Sequence, residues 1–211
     1  MKVSLRQVLV TGFEPFDGEL TNPSGEIALR LHGTRIAGHQ VTGIVLPCVF
    51  GVSIRQLQHA IRATNPVLVI CLGLAVDRVK ITPERVAINV DDARLPDNVG
   101  HQPIDVPVVK NGPVAYWSTL PIKVIVAELT AQKFPAAVSQ SAGTYVCNHV
   151  FYGLMHALRR HRAVRGGFIH VPRPSVKSGL TIERLTEAIQ LVAKVAVKTQ
   201  PDPRETGGQT D

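Results

Sequence analysis

Short apolar runs alternate with stretches of helical spacing along the chain. Val8, Leu9 and Val10 lie in a run over residues 7–11 that predicts a buried strand. Asn22 followed by Pro23 predicts a helix start, with Asn22 as N-cap and Pro23 in the first helical position. Residues 41–47 predict a second strand. Over residues 51–63, Ile54, Leu57 and Ile61 fall on one helical face. Residues 66–73 hold an unbroken apolar run rich in β-branched side chains, as in a parallel strand covered on both faces. A strand is predicted over 86–90, and a turn-rich stretch follows from 91 to 112. Beyond it the pattern predicts a helix over 121–132, a short strand over 136–140, a long helix over 145–160 and a strand over 167–171. The last helix is predicted over 180–198, with Leu185, Ile189 and Val192 on one face and Thr181 near its start. This alternation predicts an α/β fold with a largely parallel sheet. No repeat or linker interrupts residues 1–200, which read as a single domain. Residues 201–211 carry Pro201, Pro203, Gly207 and Gly208 with no apolar residue, and read as a flexible tail.

Composition narrows the class. Of 211 residues, 45% are hydrophobic and 18% charged, which is globular composition and not that of a disordered chain. No apolar run approaches the roughly 18–20 residues that a membrane span needs. The first ten residues lack the pattern of a secretory signal. Three cysteines, Cys48, Cys71 and Cys147, make neither a disulfide framework nor a Cys-x-x-Cys zinc motif, and fit a reducing cytoplasm. The net charge of +7 is spread over scattered basic residues. The one dense basic cluster, Arg159 to Arg165, falls at a predicted helix end, where the dipole favours cations. It has no interleaved aromatics and does not read as a nucleic-acid site. No two histidines have the i, i+4 spacing of a helical metal site.

Cys147 carries the most chemistry. It falls where a turn meets a predicted helix, and the positive end of a helix dipole favours a thiolate there. Free backbone N–H groups at such an end could also receive an oxyanion. Cys48 and Cys71 lie in apolar strand contexts and read as buried inert thiols. A cysteine nucleophile needs a base, usually histidine. On a regular helix His149 and His156 point about 200° and about 180° away from Cys147. His170 ends an apolar strand, and strand carboxyl ends form the ligand crevice of open α/β sheets. Glu84, Asp91 and Asp92 are the candidates for a third group that fixes the imidazole, and spacing does not choose among them. Phe13 and Phe16 follow the first strand and could wall a small apolar slot. Neither a phosphate loop nor a dinucleotide-binding glycine motif is present.

These blocks, taken together and in order, resemble the pyroglutamyl-peptidase I (pyrrolidone-carboxylate peptidase) family of cysteine peptidases. The resemblance rests on Thr11-Gly12-Phe13-Glu14-Pro15-Phe16 with Asn22-Pro23-Ser24, and on Pro83-Glu84-Arg85-Val86-Ala87-Ile88-Asn89 running into Asp91-Asp92-Ala93-Arg94. It continues in Gly143-Thr144-Tyr145-Val146-Cys147-Asn148 and Gly167-Phe168-Ile169-His170-Val171-Pro172. The resemblance implies a three-layer α/β/α sandwich and a triad of Glu84, Cys147 and His170, with Arg94 helping the oxyanion. It places substrate contacts at Phe13, Phe16, Asn22, Leu74, Leu95, Tyr145 and Val146. It implies a cytoplasmic homotetramer with no cofactor, acting on peptides that begin with pyroglutamate. The alternative is an inactive or weak homologue that binds anions or peptides. Leu74 and Asp77 depart from the family's glutamine and glycine, and Asp77 is expected to strain a turn that glycine accepts more easily. Arg173 stands where an uncharged residue is expected.

Overall fold

The computed structural model describes residues 6–161, 163–176 and 179–199, together with residues 202, 204, 206 and 207. Strand β1 (Val8–Phe13) leads to helix α1 (Pro23–Leu31), a short β2 (Arg35–Ile36) and β3 (His39–Leu46). Helix α2 (Val52–Thr64) precedes β4 (Leu68–Leu74), β5 (Thr82–Pro83) and β6 (Val86–Ile88). Then come β7 (Ala115–Trp117), α3 (Ile122–Ala131), α4 (Val146–Leu158), β8 (Arg165–Val171) and α5 (Ile182–Lys198). The main sheet runs β2-β3-β1-β4-β8-β5. Its four central strands are parallel, while β2 and β5 join antiparallel at the two edges. Strands β6 and β7 pair as a separate antiparallel ribbon.

Alternation along the central strands divides the core in two. Val8 and Val10 of β1 and Leu68, Ile70 and Leu72 of β4 pack with Ile27, Ile125, Leu129, Leu185, Ile189 and Val192 from α1, α3 and α5. Leu9, Val69, Cys71 and Phe168 face the other way, onto Leu57 of α2 and Val150, Phe151 and Leu154 of α4. The sheet is therefore covered on both faces, which gives the three layers. Each fully buried leucine, isoleucine or valine contributes about 1.5–3 kcal/mol relative to exposure. The covered β4 is why residues 66–73 read as one apolar run and not as an alternation.

Helix α1 begins as the sequence predicts. Asn22 accepts from the Ser24 backbone N–H at 3.1 Å, and Pro23 occupies the first turn. Helix α1 also lies unusually close to the sheet. A Cβ at Gly43 would stand 1.8 Å from the Ala28 carbonyl oxygen, and one at Gly12 2.0 Å from that of Ser24. These two glycines set the approach of α1 to β3 and β1.

The short elements were not anticipated. Two-residue β2 and β5 carry too little pattern to stand out, and β7 lies just past the turn-rich stretch. The strand expected over 136–140 is absent as a named strand. Ala136 and Ser139 instead make isolated parallel bridges to Ile81 and Glu84. Pro83 has no N–H to donate, so a continuous ladder cannot form there. Of residues 201–211, Asp202 accepts the backbone N–H groups of Lys123 and Val124 at the start of α3, and the Gly207 carbonyl accepts from Arg85. The other residues of that segment, apart from Arg204 and Thr206, lie outside the described ones.

Gly43→Ala is expected to destabilise the fold by at least about 1–3 kcal/mol through overpacking, read as a lower urea midpoint. An unchanged midpoint would mean that α1 can back away from the sheet freely.

Candidate active site

The carboxyl ends of β4 and β8 meet the start of α4. His170 lies on β8 opposite Gly73 of β4 in parallel register. A Cβ at Gly73 would lie 2.9 Å from Cys147 Sγ and 2.8 Å from the Phe168 ring. The thiol thus rests over the glycine that neighbours His170. Only a residue without a side chain leaves that space, so Gly73 sets how closely Cys147 packs over β4 beside His170.

Geometry chooses the carboxylate that spacing left open. Glu84 Oε1 lies 2.7 Å from His170 Nδ1. A carboxylate only accepts, so Nδ1 carries the proton and Nε2 is free to take one. Glu84 is fully buried and His170 is 5% exposed. Asp92 is exposed, and Asp91 serves a different histidine. Asp91 Oδ2 accepts from His149 Nδ1 at 2.7 Å, while His149 Nε2 accepts from the Gly51 N–H at 2.8 Å. With both ring nitrogens occupied in this way, His149 is neutral and structural. The Tyr116 hydroxyl and His156 Nδ1 are hydrogen-bonded at 2.8 Å, away from the thiol as the helical angles require.

Cys147 is the second residue of α4 and retains partial exposure. The first intrahelical bond is from the His149 N–H to the Tyr145 carbonyl, and no side chain caps this end. The backbone N–H groups ahead of it lack helical partners and point outward from the helix start. In α3 the equivalent groups are taken by Asp202. Desolvation is the largest cause that pushes the Cys147 thiol well above its usual range; Cys48 and Glu84 add to it and Arg78 opposes it. Burial thus works against the thiolate that the helix start favours. No hydrogen bond joins Cys147 to His170 among the described residues, a contact that in free enzymes often tightens only when substrate binds. Burial pushes Cys48 and Cys71 up to about 12, in line with inert thiols.

The pocket residues divide between slot and support. Phe16 is half-buried and its ring meets that of Tyr145 at 6.1 Å. Tyr145 also meets Phe50 edge-on at 5.6 Å, and its hydroxyl donates to the Pro96 carbonyl at 3.0 Å. Phe13 is buried against Phe168 at 6.4 Å, and Val146 is fully buried in the same core. The Asn22 side chain accepts from Ser24 and donates to the Glu14 carbonyl at 3.0 Å, so it fixes the loop bearing Phe13 and Phe16. Leu74 closes β4 and is buried. Leu95 is half-buried, and Arg94 is exposed with no hydrogen bond or ion pair among the described residues.

Departures from the family pattern are absorbed locally. Asp77 sits in the turn closed by the Arg78 N–H and the Ala75 carbonyl at 3.2 Å. It is not among the residues of positive φ, so the expected strain is absent. Arg173 pairs with Glu19 at 2.7 and 3.1 Å, joining the loops after β8 and β1. Both side chains are exposed, so the pair adds little stability. In the basic cluster, Arg159 donates to the His156 carbonyl and Arg165 to those of Val197 and Thr199 at the end of α5. Arg162 lies outside the described residues. Among the described residues no cluster of histidine, cysteine and carboxylate could hold a metal, and no helix is long and apolar enough to cross a membrane.

Sequence reasoning missed Arg78. Its Nη1 donates to Glu84 Oε1 and Thr82 Oγ1, each at 2.6 Å, and its Nη2 donates to the Ser141 carbonyl at 2.9 Å. Arg78 also lines an open cavity of about 490 Å³ with Thr82 and residues 137–140. The signal was one arginine six residues before a candidate carboxylate, too weak to separate from surface charge.

Residues 6–197 match the sequence model of the pyroglutamyl peptidase family. The chain belongs to that family. It is 50% identical to a pyrrolidone-carboxylate peptidase of Bacillus cytotoxicus, over 98% of this chain and 100% of that one. A Klebsiella pneumoniae pyrrolidone-carboxylate peptidase is 52% identical over 96% and 98% of the two chains. Among solved structures, pyroglutamyl peptidase I from Bacillus amyloliquefaciens superposes with a TM-score of 0.91 at 43% identity, covering 96% of this chain and 100% of that one. The Thermococcus litoralis pyrrolidone carboxyl peptidase gives 0.87 at 37% identity, over 92% and 94%. Family membership accounts for the α/β/α architecture and for the order of the sequence blocks.

Asp97 holds the 91–112 loop. Burial would raise its carboxyl, but the backbone N–H groups of His101, Phe50 and Val99 hold it below its usual range. A carboxyl depressed on folding stabilises above its unfolded value of about 3.9 and loses that contribution as pH falls through the folded value. Asp97→Asn should therefore lower the melting temperature at pH 7, and the gap to wild type should shrink below about pH 4. A gap independent of pH would assign the loss to packing.

Proposed function

We propose that this chain removes an N-terminal pyroglutamyl residue from peptides by attack of Cys147 on the carbonyl that follows the lactam ring. The observation that carries the reading is the 2.7 Å bond from Glu84 to His170, beside the uncapped helix start that presents Cys147. His170 Nε2 takes the Cys147 proton as the C–S bond forms. The N–H groups at the start of α4 receive the oxyanion, with the exposed Arg94 as a helper. His170 then gives its proton to the leaving amine, whose C–N bond breaks to leave a thioester. Water, deprotonated by His170, hydrolyses the thioester, and the thiol is restored. Glu84 holds the imidazole in the required tautomer throughout and stabilises its charged form.

The flat lactam fits an aromatic slot built from Phe16 and Tyr145, with Leu74 and Leu95 as further walls. Phe13, Val146 and Asn22 act behind these, by fixing the backbone that shapes the slot. A free N-terminal ammonium would be desolvated there without a partner, which excludes ordinary peptides. Residues 1–200 are read as one peptidase domain. The resemblance to the family supports a cytoplasmic homotetramer, and the exposed apolar side chains of Ile104, Val114 and Trp117 suit burial against another copy.

A fluorogenic pyroglutamyl amide tests the reading. Wild type should release the amine, and Cys147→Ala and His170→Ala should lose on the order of 10³-fold or more in kcat/KM. Glu84→Gln should lose less than His170→Ala. Full activity in a folded Cys147→Ala protein would sink the covalent mechanism, and turnover of the matching prolyl amide at an equal rate would sink the specificity.

A further inference from the structure

Glu84 poses an electrostatic problem that the triad does not solve. Its carboxylate is fully removed from water, and Oε2 has no hydrogen-bond partner among the described residues. A carboxylate in that position protonates unless a cation lies against it. His170 cannot be that cation in the resting enzyme, because a base must begin neutral. The titratable and charged groups around Glu84 are His170, Cys147 and Arg78. Arg85, next in sequence, turns away to Gln140 and the Gly207 carbonyl. Asp77 and Lys80 stand on the wall of the cavity that Arg78 lines. Among the described residues, Arg78 alone places a permanent positive charge on the carboxylate.

We propose that Arg78 is a positioning residue for the reaction, keeping buried Glu84 ionised and fixing the oxygen that orients His170. The proposal rests on the triad read above. Arg78 and His170 share the same oxygen, Oε1, at 2.6 and 2.7 Å. The guanidinium is itself held by Thr82 Oγ1 and by the Ser141 carbonyl, on the segment that leads into α4. One planar fork therefore connects the end of β4, β5 and the approach to Cys147. Its Coulomb effect also reaches the thiol, where it opposes the upward pull of burial. A lysine keeps the charge but not the fork.

Without Arg78 the buried carboxyl takes up a proton, and a protonated Glu84 no longer stabilises an imidazolium. The loss then falls on proton transfer and spares substrate binding. Arg78→Gln should lower kcat/KM by on the order of 10²-fold at neutral pH, chiefly through kcat. The acid limb of its rate profile should move up by about one pH unit or more. Arg78→Lys should bring the limb back toward wild type and recover about tenfold in rate. In a Glu84→Gln background, adding Arg78→Gln should cost little, because the group it serves is gone.

The experiment is the kcat/KM profile from acid to neutral pH for these four variants, with folding checked by circular dichroism. A folded Arg78→Gln protein whose acid limb is unmoved, or whose loss lies wholly in KM, overturns the proposal. If Arg78→Gln does not fold, the lysine variant decides: a limb near wild type supports the proposal, and a limb moved by a full unit overturns it. Full activity in Glu84→Gln would sink the triad reading itself. An impaired Glu84→Gln beside an unaffected Arg78→Gln would sink only the role given to Arg78.

Discussion

The site depends on one buried carboxylate. Glu84 has no contact with solvent, so a charge there needs a partner inside the protein. His170 from β8 and Arg78 from the turn after β4 converge on the same oxygen. Pro83, the residue before Glu84, interrupts the parallel bridging to residues 136–139 but not the pairing with β8. The neighbouring backbone remains tied through bonds from Glu84 N–H to the Phe168 carbonyl and from Arg85 N–H to that of Ser139. The Glu84–His170 geometry is thus set by strand pairing.

Cys147 is fixed by a second constraint, close approach. Gly73 leaves room for Cys147 Sγ above β4, and Phe168 fills the remaining volume. Helix α4 is almost wholly buried from Val146 to Met155, so its start cannot drift. Asn148 pins that start sideways, accepting from the Ile88 N–H at 3.0 Å and donating to the Ile88 and Val90 carbonyls at 2.9 Å. The neutral His149 adds a third anchor, from Asp91 to Gly51.

The central strands and long helices were legible in the sequence because each has a strong pattern. Residues 66–73 are apolar on every position because β4 is covered on both faces, and Asn22-Pro23 marked α1 through cap chemistry that acts locally. The bridges at Ala136 and Ser139 were misread as a strand because Pro83 breaks the pairing from the partner side. Glu84, Asp91 and Asp92 were equivalent by spacing, since which carboxylate meets His170 is settled by the antiparallel pairing of β5 with β8. Asp77 was expected to strain its turn, but the turn needs no left-handed residue at that point. Arg78 escaped notice because its meaning lies in a buried partner six residues away. The helix dipole at Cys147 was visible from sequence, while the burial that opposes it was not.

The most direct test of the account is intact-mass and peptide mapping of the protein quenched in acid during turnover of a pyroglutamyl ester. The account predicts one added pyroglutamyl group, carried on Cys147, which disappears as substrate is exhausted. Turnover with no adduct under conditions where deacylation is slowed, or an adduct on Cys48 or Cys71 instead, would contradict it.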